Sequence, residues 1–139
     1  MLIMFDGVNI IAVIGTTFFM MASATVWFSP MMFGKLWLRE LKVTEEEIEA
    51  SRQSMYTHLG LTAFSYAVAL FVLAFIALRI GDLEITTLEG SVIIVALVVA
   101  FLGNISLWEN KTLTYFLINS SFYTYFIIIG MFMLSYWPW

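Results

Sequence analysis

The most regular feature of the chain is a series of four long apolar segments separated by shorter polar ones. These segments cover residues 8–28, 56–78, 90–108 and 113–136, and their interiors contain no Asp, Glu, Lys or Arg. Each is close to the roughly 20 helical residues that cross the hydrocarbon core of a bilayer. Because an unbroken apolar run of this length exceeds an ordinary strand, the pattern predicts helices. The predicted fold class is therefore all-α integral membrane, a four transmembrane helix bundle in a single domain over residues 1–139.

The connection between the first two segments, residues 30–55, has a pattern of its own. Its first part interleaves Met, Phe, Leu and Trp with Lys35, Arg39 and Lys42, which is typical of a short amphipathic helix lying in the headgroup layer. Further on, Thr44 is followed three residues later by Glu47. This spacing predicts a capping box, in which each side chain bonds the other residue's backbone N–H at a helix start. We therefore predict a short interfacial segment between transmembrane helices 1 and 2.

Composition narrows the class of protein and of partner. Hydrophobic residues make up 62% of the chain and charged residues 12%, against roughly 25% charged residues in soluble domains. Since so short a chain cannot bury this much apolar surface in its own core, we expect the lipid bilayer to be a partner. The net charge of −4 argues against a nucleic-acid partner, which requires clustered Lys and Arg. The chain has no Cys, so disulfides and thiolate metal sites are excluded.

The distribution of basic residues predicts an orientation. The connections that follow the first and third segments carry five of the six Lys and Arg residues, and such an excess marks the cytoplasmic side. The chain is thus expected to be a multi-pass cell-membrane protein with both termini non-cytoplasmic. Trp137 and Trp139 would then lie at the outer interface. The first segment is not expected to be a cleaved signal peptide, because its flank carries Asp6 and no Lys or Arg.

Two motifs resemble those of a known family. Residues 27–37 read WFSPMMFGKLW, and residues 108–111 and 116–119 read WENK and FLIN. In this order they resemble the DUF1761 family, small four-helix membrane proteins of bacteria and archaea, and Gly130 and Trp137 extend the match. Where the family tends to carry Gly before the first Trp, this chain has Ser23 and Ala24. Because the function of the family is unknown, the resemblance implies an architecture and no activity.

A candidate polar cluster lies within the third and fourth segments and comprises Asn104, Asn119, Ser120 and Thr124. A tight hairpin joins these segments, so the two amides are expected at comparable depths and able to bond each other. Asn104 shares a helix face with Ala96 and Ala100, and small residues let helices approach closely. One interpretation is an interhelical hydrogen bond that only supports packing. The other is a polar lining for a substrate or ion path.

A second group of candidates is expected at the cytoplasmic face. Five of its members lie in or beside the turn after the first helix and three lie near the ends of the other segments: Trp27, Ser29, Pro30, Gly34 and Trp37, then His58, Trp108 and Glu109. The turn residues either form a structural elbow or bind a lipid or partner headgroup. Glu109 is either a solvated carboxylate or is held by Lys35, Lys111 or His58. A Glu109–His58 pair would be able to relay protons near neutral pH.

No catalytic constellation is recognisable, so we expect no enzyme, no cofactor and no metal site. There is one His, no HExxH, no GxSxG and no phosphate-binding glycine loop. We expect a non-enzymatic integral membrane protein that acts as an oligomerising or accessory interaction module. Its partner would be a second copy or a larger membrane complex. The alternative is a small oligomeric transporter or channel for a neutral or apolar substrate. The lack of charged residues inside the spans argues against an ion pathway.

Overall fold

The fold is that of a computed structural model, which describes residues 7–137 apart from the side chain of Asp82. Within these residues the chain forms six α-helices and one short 3-10 helix, and no strand. The helices are α1 Ile10–Trp27, α2 Gly34–Leu41, α3 Glu45–Gln53, α4 Met55–Arg79, α5 Thr87–Trp108 and α6 Leu113–Ser135, with the 3-10 helix Ile80–Leu83 between α4 and α5.

Four of these helices, α1, α4, α5 and α6, are long and apolar enough to cross a membrane. They coincide with the four predicted apolar segments to within three residues at each end. The prediction of an all-helical chain with four long apolar helices is therefore confirmed. Trp139, which was expected at an interface, lies outside the described residues.

Side-chain caps set the starts of the helices. Thr44 and Glu47 form the predicted capping box at the start of α3. A second box, between Thr86 and Glu89, starts α5 in the same way. Thr112 caps α6, where its Oγ1 accepts from the Tyr115 backbone N–H at 3.1 Å. Each cap satisfies backbone donors that a helix start leaves without partners, and so fixes where the helix begins.

Helix α6 is the centre of the arrangement. It packs against α1, α4, α2 and α5, and α1 and α4 also pack against each other. Met20 of α1, Leu70 of α4, and Phe122 and Met131 of α6 are fully buried where these three helices meet. A Cβ on Gly130 would lie 3.0 Å from Leu70 Cδ2, so this glycine lets α4 and α6 approach closely. Helix α5 packs mainly on α6 and, among the described residues, has little direct contact with α1 or α4.

The connection between α1 and α4 contains two short helices instead of one. Helix α2 packs on α6, whereas α3 has no buried residue and packs only lightly on α4. The start of α4, the start of α6 and both short helices lie at one end of the long helices, which we call the α2 end. The capped, acidic α3 needs no apolar partner, because its exposed face is almost wholly polar.

Candidate functional site

The first motif builds a tight turn between α1 and α2. The Ser29 hydroxyl donates to the Val26 carbonyl oxygen at 2.7 Å, and the Gly34 backbone N–H donates to the Ser29 carbonyl oxygen at 2.9 Å. Pro30 is exposed in the turn. A Cβ on Gly34 would collide with the backbone of Phe28 and Ser29. Glycine, which has no Cβ, therefore lets α2 fold back against the end of α1 at position 34.

An aromatic cluster fills the space under this turn. Phe122 of α6 is its centre, with the Phe28 ring 5.3 Å and the Trp27 ring 5.8 Å from it. Trp37 of α2 packs 5.1 Å from Phe28, and Phe33 lies 5.0 Å from Trp27. Ring pairs at these separations each add roughly 0.5–1.5 kcal/mol beyond the area they bury. The cluster therefore anchors α2 to the α2 end.

A cavity of about 500 Å³ opens beside this cluster. Trp37, His58 and Asn119 line it, from α2, α4 and α6 respectively, together with Thr62 and Tyr123. The indole nitrogen of Trp37 is buried without a hydrogen-bond partner in the described structure. A buried N–H without a partner costs about 1–3 kcal/mol, and this nitrogen has almost no surface open to the cavity.

The structure brings some of the cytoplasmic-face candidates together and separates others. Trp37 and His58 line the same cavity. Trp108 and Glu109 do not line this cavity, and both are exposed at the end of α5. No ion pair between Glu109 and Lys35, Lys111 or His58 is present in residues 7–137. The cavity therefore includes Trp37 and His58 of the predicted group, but not Trp108 or Glu109.

The structure shows no direct hydrogen bond between Asn104 and Asn119 among residues 7–137. The Asn119 amide donates to the Tyr115 carbonyl oxygen of its own helix at 2.8 Å, and Asn104 is exposed on α5. Gly103 is the residue that faces α6, since a Cβ there would lie 3.5 Å from Phe116. Asn104 is rotated by about 100° from Gly103, because an α-helix has 3.6 residues per turn. Equal depth therefore does not place the two amides on facing sides.

The remaining members of the predicted polar cluster are also apart from Asn104. Ser120 is buried, and its hydroxyl has no partner among residues 7–137. Thr124 is half-buried one turn further along α6. Between α1 and α6 a different polar contact is present, in which Ser23 Oγ and Tyr125 Oη lie 3.0 Å apart. Ser23 is one of the two residues that stand where the family tends to carry Gly.

Sequence reasoning missed one polar contact at the α2 end. The Thr112 hydroxyl donates to a carboxylate oxygen of Glu40, whose side chain is only 13% exposed. This bond ties α2 to the first residue before α6. The amphipathic pattern of α2 is the signal that was available, since it places Glu40 on the same side as Trp37.

The described residues contain no group of three or more His, Cys, Asp or Glu side chains that would hold a metal ion. The cavity beside Trp37 is lined by neutral donors and acceptors and by one imidazole. Such a lining suits the binding of a neutral group through hydrogen bonds.

Fold and motifs together define an all-helical protein with four helices long enough to cross a membrane. A turn with a packed aromatic cluster connects the first of them to α2. The chain belongs to the DUF1761 family, described as proteins of unknown function, whose family model matches residues 11–134. No curated protein and no solved structure matches the chain. The earlier resemblance is confirmed, and it supplies no activity.

Proposed function

We propose that the chain is a multi-pass integral membrane protein and acts as a non-enzymatic interaction module that associates with a second copy of itself. Large apolar side chains on the outer faces of all four long helices support the first part. Phe18 of α1, Phe64 of α4, Phe101 of α5 and Leu117 of α6 are 72%, 69%, 68% and 52% exposed. Exposed apolar surface on every side suits lipid as solvent.

The proposed orientation follows from the basic residues. Lys35, Arg39, Lys42, Arg52 and Lys111 all belong to the α2 end, whereas Arg79 lies at the other end. Lys and Arg in short loops favour the cytoplasmic side. The α2 end is thus proposed to be cytoplasmic, with both termini outside.

The outward amide of Asn104 is the single observation that carries the association. It is exposed, belongs to an apolar helix, and has no hydrogen-bond partner among residues 7–137. Its position is four residues before the end of α5, about 6 Å along the helix axis. A polar group that faces hydrocarbon without a partner is costly. A protein partner on this face would relieve that cost.

A second copy supplies a hydrogen-bond partner for Asn104. An amide has both donor and acceptor atoms, so two Asn104 side chains related by a twofold axis each donate and accept. Ala96 and Ala100 precede Asn104 at four-residue spacing and are exposed on the same side of α5. Small side chains there allow two α5 helices to approach closely.

The test is to compare Asn104→Leu with the unchanged chain in mild detergent and to measure the mass and the monomer–dimer dissociation constant. Side-chain hydrogen bonds between membrane helices average ~0.6 and reach ~1.7 kcal/mol, and the substitution removes two of them, so we expect the dimer to be roughly 8- to 300-fold weaker. Asn104→Gln keeps the amide and should retain most of the affinity.

Ser121→Leu is the matched control, because it also replaces an exposed polar residue of a long helix by Leu, but on α6. It should leave the dimer unchanged. A chain that is monomeric at all concentrations in detergent and in lipid nanodiscs contradicts the proposal. A closed ring of three or more copies would favour the oligomeric transporter or channel instead.

A further inference from the structure

The hairpin between α5 and α6 contains a cavity of about 310 Å³ at the α2 end, which we call the hairpin cavity. It is lined by residues from the end of α5, from the connection and from the start of α6: Gly103, Ser106, Leu107, Lys111, Thr112, Leu113 and Phe116. None of these residues lines the cavity beside Trp37. The hairpin cavity is therefore a different one, and its lining has a different chemistry.

Ser106 supplies a hydroxyl that the protein itself does not use. The residue is only 8% exposed, and its hydroxyl has no hydrogen-bond partner among residues 7–137. Its oxygen is not fully enclosed, unlike that of Ser120, and the residue lines the hairpin cavity. The hydroxyl is therefore open to donate to an oxygen atom of a molecule in this cavity.

Lys111 is held beside Ser106 by the turn. Its backbone N–H donates to the Ser106 carbonyl oxygen at 2.9 Å, and its Nζ lies 5.4 Å from the centre of the Tyr115 ring. The ammonium forms no ion pair within residues 7–137. The lining of the hairpin cavity therefore contains one cation that no carboxylate pairs with.

The start of α6 adds backbone donors. Thr112 accepts from the Tyr115 N–H, whereas the N–H groups of Leu113 and Thr114 have no acceptor in the described part of the chain. These groups point out of the first turn, where the helix dipole favours a negative charge. A hydroxyl, an ammonium and free N–H groups of a helix start are donors that bind phosphate oxygens.

Two carboxylates nearby limit the charge of the bound group. Glu40 bonds the Thr112 hydroxyl and lies 3.5 Å from Arg39 Nη2, and Glu109 is exposed two residues before Lys111. Neither lines the hairpin cavity, but each would repel a second negative charge there. A phosphodiester, with one negative charge, therefore suits the single ammonium better than a phosphomonoester, which carries nearly two.

The rest of the lining is apolar and open. Leu107 and Leu113 are largely exposed, and Gly103 and Phe116 continue the cavity along the seam between α5 and α6. Gly103 is five residues before the end of α5, about 7.5 Å along the helix axis. An acyl chain attached to a phosphate in the cavity thus has an apolar surface to lie on.

We propose that the hairpin cavity binds the phosphodiester of one membrane phospholipid. Ser106, Lys111 and the start of α6 donate hydrogen bonds to the phosphate oxygens, and an acyl chain lies along the seam between α5 and α6. The proposal rests on the proposed placement of the chain in a membrane and does not depend on the association through α5.

The experiment measures binding of dioleoylphosphatidylglycerol and of dioleoylglycerol to the purified full chain in a neutral detergent by native mass spectrometry. The two lipids have the same acyl chains, and only the first carries the phosphodiester. We expect saturable one-to-one binding of the phospholipid, binding of dioleoylglycerol that is weaker by roughly 10-fold or more, and no displacement by inorganic phosphate. Equal binding of the two lipids would overturn the proposal. Displacement by inorganic phosphate would overturn it in favour of a site for a free anion.

Two substitutions and a matched control test the placement. Lys111→Gln removes the charged donor and should weaken binding of the phospholipid roughly 10- to 150-fold, and Ser106→Ala should weaken it roughly 2- to 13-fold. Ser106→Ala breaks no hydrogen bond among residues 7–137, so the unfolding temperature of the lipid-free chain should not fall. Lys35→Gln makes the same change of charge at an exposed residue of the α2 end that does not line the cavity. It should leave binding unchanged, and an equal loss in Lys35→Gln and Lys111→Gln would overturn the site.

Failure of the site and failure of the membrane placement give different results. A chain that an alkaline carbonate wash releases from cell membranes would overturn the placement and this proposal with it. A chain that stays in the membrane fraction but binds both lipids equally would overturn the site alone.

Discussion

Hydroxyl and amide groups in the long helices are satisfied mainly by the backbone of their own helix. Thr17 donates to the Val13 carbonyl at 2.7 Å, and Ser91 and Asn119 make the same four-residue contact. Because this acceptor lies in the same helix, these three side chains need no partner on a neighbouring helix, whereas Asn104 makes no such contact in the described structure. The polar contacts that do join elements lie at the α2 end and between α1 and α6.

Thr112 is the residue whose loss should affect most contacts at once. Its hydroxyl donates to Glu40 and accepts from the Tyr115 N–H, so Thr112→Val removes both a helix cap and the tie to α2. The expected loss of stability is about 1–3 kcal/mol. Thermal unfolding in detergent measures it.

Two neighbouring substitutions serve as controls for Thr112→Val. Thr112→Ser keeps the hydroxyl and should stay within a few tenths of a kcal/mol of the unchanged chain. Thr114→Val makes the same change at a half-buried position of α6 whose hydroxyl has no bond among residues 7–137. An equal loss in all three variants would show that the Glu40 contact contributes nothing.

At the residue scale the sequence predicts contacts within one helical turn, but it does not predict which side chains of two neighbouring helices face each other. The Thr44–Glu47 box was predictable because both residues belong to one turn, and the Thr86–Glu89 box carries the same signal. The Asn104–Asn119 pair was not predictable from depth, because which side of α5 faces α6 depends on packing at Gly103 and Phe116. Positions 103 and 104 lie about 100° apart around α5, so a position that faces α6 is followed directly by one that does not.

The turn between α1 and α2 is the element on which the α2 end depends. It is short, and it places Trp37 5.1 Å from the Phe28 ring and Trp27 5.8 Å from the Phe122 ring. Helix α2 is too short to be stable alone in water. It is held by the aromatic cluster and by Glu40.

Gly34→Ala tests whether the close turn is required. The added Cβ would lie 2.7 Å from the Ser29 carbonyl carbon, and backbone atoms there cannot move aside without reopening the turn. We expect a loss of stability of more than about 1 kcal/mol, as for other overpacked sites. Protease accessibility at Arg39 should rise together with a lower unfolding temperature.

Gly60→Ala is a matched control on α4. Nothing lies within 4 Å of a Cβ at Gly60, so the substitution should stabilise the chain by roughly 0.5–1 kcal/mol through helix propensity. If Gly34→Ala were equally stabilising, the turn would have room that the structure does not show.

The whole molecule is a three-helix core with a fourth helix attached at one side. Among the long helices α6 is the least apolar, yet it has the largest buried share. A helix rich in Tyr, Ser, Thr and Asn is better placed against protein than against lipid, which gives such groups no partner. This composition was visible in the sequence and predicts the central helix. The sequence does not predict that α5 packs closely on α6 alone, because the apolar residues of α5 are spread around all sides of the helix.

Single cysteines can test the proposed orientation without background, because the chain contains none. Glu46→Cys places a thiol on exposed α3 at the α2 end, and Leu83→Cys places one on the exposed 3-10 helix at the other end. A membrane-impermeant maleimide should label Leu83→Cys on intact cells. It should label Glu46→Cys only after permeabilisation. The reverse pattern would invert the topology.

The central position of α6 also bears on the order in which the fold can be completed during synthesis. The ribosome makes α1 and α4 before α6, and at about 5–20 residues per second the interval between the end of α1 and the start of α6 is on the order of ten seconds. Until α6 is made, Met20 and later Leu70 have no Phe122 or Met131 to pack against. The nascent helices must therefore wait in the bilayer, or beside an insertion factor, until the last of the four arrives between them.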